Sequence, residues 1–304
     1  MCISRSPTPS RARGTAGFTL VELVVAILVS SLVAGIIFQV LSGQGRFVAQ
    51  QTAREESLQN ARGALDVLGS ELRAVHPQGL VIAESDSVEF YAPRAWGVVC
   101  AAVASGASQV TAIFPDVPDM SFDADGSGGL PPTAGVQFAL GDPLTTDWPA
   151  ASVTSLTKRS ISDCAAIAPG AHNVRVVRFT TSSTLPAVPA GTRLYYFQRV
   201  RYSLGSDASV PGTWVLRTAG STGATLVQKP FAGPVPASGA NRLRFMYYRN
   251  GVSTPVARLG TPAERRQARS IGVRITTESQ PSQGGPRQSI SDSVTIYLRN
   301  QGEQ

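Results

Sequence analysis

The chain has 304 residues, 42% of them hydrophobic and 15% charged, which is enough apolar content for a folded core and for one large or two ordinary domains. Its 29 glycines and 21 prolines exceed the usual share and point to a turn-rich, β-rich body. Three cysteines and two histidines exclude a dense disulfide scaffold and most histidine-rich metal centres, and the net charge of +7 is an arginine charge, since Lys158 and Lys229 are the only lysines.

Residues 1–17 contain Arg5, Arg11 and Arg13 and no acid. Phe18 to Leu41 follows, 24 residues with a single charge, Glu22, and Leu23 to Leu41 supplies 19 uncharged residues in a row. As a helix, that uncharged run covers about 28 Å, close to the hydrocarbon thickness of a bilayer. Basic residues ahead of it place the amino end in the cytoplasm and the bulk of the chain outside. A secretory signal peptide would have a shorter apolar region and a small-residue cleavage site after it, and none follows Leu41. A plain membrane anchor explains the length but not Glu22, because an ionisable group at that depth costs about 2–3 kcal/mol.

The segment Gly17-Phe18-Thr19-Leu20-Val21-Glu22, behind a basic leader and ahead of an uncharged helix, resembles the prepilin signature of type IV pilins and type II secretion pseudopilins. The resemblance covers about 45 residues. It implies that residues 1–17 are a leader, that prepilin peptidase cuts between Gly17 and Phe18 on the cytoplasmic side, and that the new amino-terminal Phe18 is methylated. It further implies that residues 18–41 stay as a transmembrane and filament-core helix, with Glu22 as an assembly residue. The physics agrees: a buried carboxylate and a neighbour's new amine relieve each other's burial in a low-dielectric bundle.

Residues 42–76 continue the helix. No proline interrupts them, and Leu58, Ala61, Leu65, Leu68, Leu72 and Val75 recur at spacings of three and four, a seam along one face. Arg54, Glu55, Glu56, Arg62, Asp66, Glu71 and Arg73 fall off that seam, and Pro77 ends the helix. The seam is expected to pack on the body that follows, the alternative being a coiled coil with another protein. Many pilins carry a proline in mid-helix, where this chain has Gly35 and Gln39.

Residues 77–304 read as an extracytoplasmic β-rich domain. β-Branched and aromatic runs bounded by turn residues predict strands at Gly79–Ala83, Ser87–Tyr91, Trp96–Val103, Gln109–Phe114, Gly135–Leu140, Asn173–Phe179, Arg193–Tyr202, Thr213–Arg217, Ala224–Gln228, Arg242–Arg249, Ser270–Thr277 and Ser289–Arg299. Asp116–Pro132 and Ser203–Gly212 read as loops and Pro262–Arg269 as a short helical turn. The fold class is therefore α+β, a long amino-terminal helix packed on an antiparallel β-sheet domain, pilin-like by the resemblance. The order of the aromatic strands around Tyr195–Tyr202, Trp214–Arg217, Leu243–Tyr248, Ile271–Thr276 and Val294–Asn300 is similar to the larger minor pilins of the PilW kind and to J-type minor pseudopilins.

Cys2 leaves with the leader, so Cys100 and Cys164 remain, a disulfide candidate in an extracytoplasmic domain or else two buried thiols. Asp119, Asp123 and Asp125 precede Gly126-Ser127-Gly128-Gly129, a pattern found in calcium loops, but no glutamate closes it at the twelfth position, which is Leu130. An ordinary loop is the expectation there, calcium the alternative, and no other cofactor is expected. His76 and His172 lie in no triad or metal motif, and no nucleophile elbow or phosphate loop is present, so no enzyme is expected. Arg199, Arg201, Arg242, Arg244 and Arg249 read as solvent-facing strand positions, and without a basic run interleaved with aromatics nucleic acid is not an expected partner.

The resemblance implies a minor type IV pilin in the bacterial inner membrane and then at a pilus or pseudopilus tip. Its partners would be prepilin peptidase, other pilins or pseudopilins and the inner-membrane assembly platform. The alternatives are a J-like pseudopilin of a type II secretion system and, in another class, a membrane-anchored adhesin or DNA-binding module.

Overall fold

The computed structural model describes residues 19–75, 79–115, 136–140, 151–167, 174–220, 226–239, 242–279 and 287–298. The elements in chain order are helix α1 (Leu20–Arg73), strands β1 (Leu80–Ala83), β2 (Ser87–Val99), β3 (Gln109–Pro115), β4 (Val136–Leu140), β5 (Ala151–Arg159), β6 (Val174–Thr181), β7 (Arg193–Asp207), β8 (Val210–Gly220), β9 (Leu226–Val235) and β10 (Leu243–Arg249), helix α2 (Pro262–Arg266), and strands β11 (Ala268–Glu278) and β12 (Ser289–Tyr297). The chain divides into two units, residues 1–51 and 52–304.

In the first unit every described residue from Thr19 to Ala49 is exposed. Such a helix, apolar on all sides, has no face to bury in water and belongs in lipid or in a bundle of similar helices. Neither Gly35 nor Gln39 interrupts α1.

In the second unit α1 buries one face, formed by Ser57, Ala61, Ala64, Leu65, Leu68, Gly69 and Leu72. Ala64, Leu65, Leu68 and Leu72 join strands of both sheets in one core with Phe90, Tyr202, Val215, Phe245, Ile271 and Ile296. The expected intramolecular packing of the seam therefore holds from Ala61 to Val75, while Leu58 is only partly buried and Ser57 takes the covered place. Ser57 is satisfied there: its Oγ lies 3.1 Å from Thr277 Oγ1, which donates to the Ser57 carbonyl at 2.9 Å. The helix closes with three-residue turns, Ala74 and Val75 N–H donating to Glu71 and Leu72 carbonyls.

Among the described residues all strand pairings are antiparallel. β2 and β7 form the spine, paired from Ser87↔Ser203 to Val98↔Arg193 across a bulge at Pro93–Ala95. Each strand changes its second neighbour along its length. The first half of β2 pairs with β1 and its end with β3, while the start of β7 pairs with β4 and its remainder with β8. With β3–β6, β6–β5 and β5–β4 the order closes on itself as a six-stranded ring, β2-β3-β6-β5-β4-β7. Val99, Phe114, Phe179, Leu194 and Tyr196 belong to the core of the ring strands, where Phe114 and Phe179 meet edge to face at 5.7 Å. β10, β11 and β12 form a separate three-stranded sheet whose inner face joins the helix-covered core.

The helix and the antiparallel sheets fit the α+β expectation. Four details differ from it. Ser87–Tyr91 and the start of the expected Trp96–Val103 strand form one strand, which ends at Val99, because the bulge absorbs Pro93. Ser203–Gly212 is no loop but the tip of the β7–β8 hairpin, which turns at Ala208-Ser209 with Asp207 Oδ1 accepting from Ser209 N–H at 2.8 Å. β9 runs on to Val235, and β5 is an additional strand outside those expected. The loop reading of Asp116–Pro132 lies outside the described residues.

Candidate assembly site and its internal counterpart

Thr19 stands immediately before the first turn of α1 and Glu22 is three residues further on. Thr19 N–H and Oγ1 donate to Glu22 Oε2 at 3.1 and 3.0 Å, and Glu22 N–H donates back to Thr19 Oγ1 at 3.3 Å. This reciprocal capping box satisfies two backbone donors that a helix end would otherwise leave orphaned. The Thr-x-x-Glu spacing announces it in the sequence. Oε1 of Glu22 has no partner among the described residues. Beyond it, Leu20, Leu23, Ile27, Leu28, Ile36 and Phe38 present apolar surface outward. α1 is the one helix among the described residues long and apolar enough to cross a membrane.

Gly17 and Phe18, the expected processing residues, lie outside the described residues. So do Asp119, Asp123 and Asp125, as well as His76 and His172. Among the described residues no cluster of three His, Cys, Asp or Glu side chains could hold a metal.

Glu71 is the second carboxylate of α1 with a defined role, and its placement corrects the reading of it as a charge outside the packed face. Its side chain is 12% exposed and meets two guanidinium groups, Arg217 Nη2 at 2.7 Å and Arg94 Nη2 at 3.0 Å. Tyr202 Oη donates to its other oxygen at 2.8 Å and accepts from Arg217 Nε at 3.1 Å. Arg94 Nε donates to Gln198 at 2.9 Å. Burial works against the Glu71 carboxylate, yet Arg217, Arg94 and Tyr202 outweigh it and hold its pKa below the ordinary value. Burial likewise opposes the charge on Arg217, and Glu71 still raises its pKa. Burial and the Glu71 charge push the Tyr202 hydroxyl up, so it remains a donor. The network ties α1 to β2, β7 and β8.

Arg199 departs from a simple solvent-facing reading as well: it pairs with Glu89, which is 4% exposed, on the strand face away from α1. Arg201 and Arg244 are exposed, as expected, while Arg242 and Arg249 are half-buried.

Cys100 and Cys164 are joined by a disulfide, their Cα atoms 4.7 Å apart. Cys164 ends a single 3-10 turn (Ile161–Cys164) whose preceding Ser160 accepts from Ser162 N–H, and both cysteines sit in a small core with Ile113 and Val176. The bridge links the end of β2 to the segment between β5 and β6.

Comparison with known families finds one model, the prokaryotic N-terminal methylation motif, over residues 12–38. It covers the stretch that holds Gly17, Phe18 and Glu22 and supports a likeness to type IV pilins and pseudopilins, a structural role and membrane anchoring through α1. No curated protein and no solved structure matches the chain.

Proposed function

We propose that the chain is a minor type IV pilin, a structural subunit that primes or caps pilus assembly after prepilin peptidase cuts between Gly17 and Phe18. The observation that carries this reading is the methylation motif at the head of a 54-residue helix whose first part exposes a long apolar surface with Glu22 near its start. Waiting in the inner membrane with its amino end in the cytoplasm, the subunit would expose its β body on the far side, where a disulfide is stable. Cleavage would create an amine at Phe18. In the filament a neighbour's amine would meet the open Oε1 of Glu22, Thr19 keeping the other oxygen, so that neither charge stays uncompensated in the bundle. The large β body is hard to repeat along a thin filament, which supports a place at the tip beside other minor subunits.

Deleting the gene in its host and counting surface pili by electron microscopy tests the proposal. Loss or sharp reduction of pili is expected. Full piliation combined with failed export of secreted proteins would move the chain to a J-like pseudopilin, and an uncut Gly17-Phe18 bond would reduce it to a membrane-anchored binding module.

A further inference from the structure

The outer face of the β10-β11-β12 sheet assembles a group of residues that no single stretch of sequence contains. Three cross-strand rows define it: Tyr248↔Ser270↔Tyr297, Met246↔Gly272↔Thr295 and Arg244↔Arg274↔Ser293. The middle strand contributes only small groups in the first two rows. A Cβ at Gly272 would lie 3.5 Å from both the Met246 methyl and the Tyr248 ring, so these two side chains lean over a floor of Ser270 and Gly272. The Tyr248 ring thus lies flat over the middle strand, where it offers a face for stacking. Tyr297, 63% exposed, stands ready on the edge strand.

Arginines predominate on this face. Tyr248, Arg249, Arg269, Ser270 and Tyr297 line a single open cleft of about 420 Å³. Arg249 Nε is buried with no hydrogen-bond acceptor among the described residues. Arg244 and Arg274 are both exposed and sit directly opposite each other, a like-charge pair that costs stability unless an anion lies across it. Glu278 pairs with Arg287 at 3.3 Å and Asp292 with Arg62 at 3.7 Å, while Glu264, which caps α2, interacts electrostatically with Arg249, so no carboxylate is paired with Arg244 or Arg274 among the described residues. The exposed Arg269 and the Arg244–Arg274 pair, unpaired among the described residues, thus flank the two tyrosines.

We propose that this face binds single-stranded nucleic acid, its bases stacking on Tyr248 and Tyr297 and its phosphates meeting the arginines of the cleft and of the Arg244–Arg274 pair. Single strands suit it because their bases are free to stack, whereas a duplex offers phosphates alone. A search along the sequence misses the face, because its aromatic and basic residues come from three strands and meet only through the sheet register.

The test is fluorescence anisotropy of a labelled oligothymidylate of about 20 nucleotides with the full chain in detergent micelles. Tyr297→Ala is expected to weaken binding about tenfold, and Tyr297→Phe to leave it unchanged, since stacking needs the ring and not the hydroxyl. Replacing Arg244 and Arg274 together by Ala is expected to weaken binding and flatten the salt dependence by about 1.4, the slope for two phosphates on a single strand. These side chains are exposed, so circular dichroism should report an unchanged fold. No binding, equal affinity for a duplex of the same length, indifference to both sets of variants, or binding of polygalacturonate that the oligonucleotide cannot displace would each overturn the proposal, the last in favour of an acidic glycan.

Discussion

The two ends of α1 carry one defining carboxylate each, and they are treated oppositely. Glu71 is enclosed by the second unit, with two arginines and a tyrosine of its own chain consuming both oxygens. Glu22 is exposed, one oxygen held by Thr19 and the other open. A carboxylate that the fold has already compensated holds that fold together, whereas one left open on an apolar helix calls for a partner from outside. Four measurements break or sharpen this contrast.

The largest effect is expected at Glu71. Glu71→Ala leaves Arg94 and Arg217 facing each other without a counter-charge and should destabilise the second unit by about 3–5 kcal/mol, as removal of one member of a buried pair generally does. Differential scanning calorimetry would show this as a fall of roughly 10 °C in Tm. A change under ~1 kcal/mol, the range of surface pairs, would show that the network does not anchor the helix.

Next comes the disulfide. Cys100→Ser with Cys164→Ser removes a link between residues 64 apart and is expected to cost about 2–4 kcal/mol in denaturant unfolding, with no effect on the Glu71 network. Thiol labelling of the denatured chain with and without reductant reports the bond itself, and equal labelling would count against it.

Acid should act on Glu71 in the same direction, but less abruptly. Its folded pKa lies below the unfolded one, so its contribution is complete above the unfolded value of about 4.3 and is lost as pH falls through the folded pKa. The Tm of the native chain should fall below that pH, and Glu71→Gln should flatten the decline. Equal slopes for the two proteins would exclude this group as the cause.

The smallest effect on stability belongs to Glu22. Glu22→Ala should leave the unfolding of the second unit unchanged and processing at Gly17 largely intact, while incorporation into a filament or tip complex, scored by immunoblot of sheared fractions, falls sharply. Normal incorporation would remove Glu22 from the assembly role.

The same contrast separates what the sequence displays from what it hides. The apolar segment, the seam from Ala61 to Val75 and the Glu22 signature are local patterns, and a helix converts spacing directly into a face. Glu71 looks like any solvent charge in that register, because its partners lie 23 and 146 residues away. β5, Ala-Ser-Val-Thr-Ser-Leu-Thr-Lys-Arg, has few large apolar residues to mark it and is defined by its neighbours β4 and β6. Pro93 and the Ser203–Gly212 stretch carry turn chemistry, yet the pairing that a bulge and a long hairpin sustain keeps both in strands. The closed ring was illegible for the same reason, since long-range register leaves no periodic trace.

That ring begins and ends at one place. Val99 N–H donates to the Thr192 carbonyl at 2.9 Å, Gly191 N–H donates to the Val99 carbonyl at 2.9 Å, and Val98 pairs with Arg193. The polypeptide therefore leaves the spine and re-enters it beside its own point of departure, so residues 100–192 have the geometry of an inserted cassette. A tight two-residue connection from Val99 to Arg193 would turn β2 and β7 into a plain hairpin and preserve the strands that cover α1. Natural variants could lengthen, exchange or discard the cassette while the helix-bearing scaffold stayed constant, and a shortened subunit built this way would be the natural starting point for engineering.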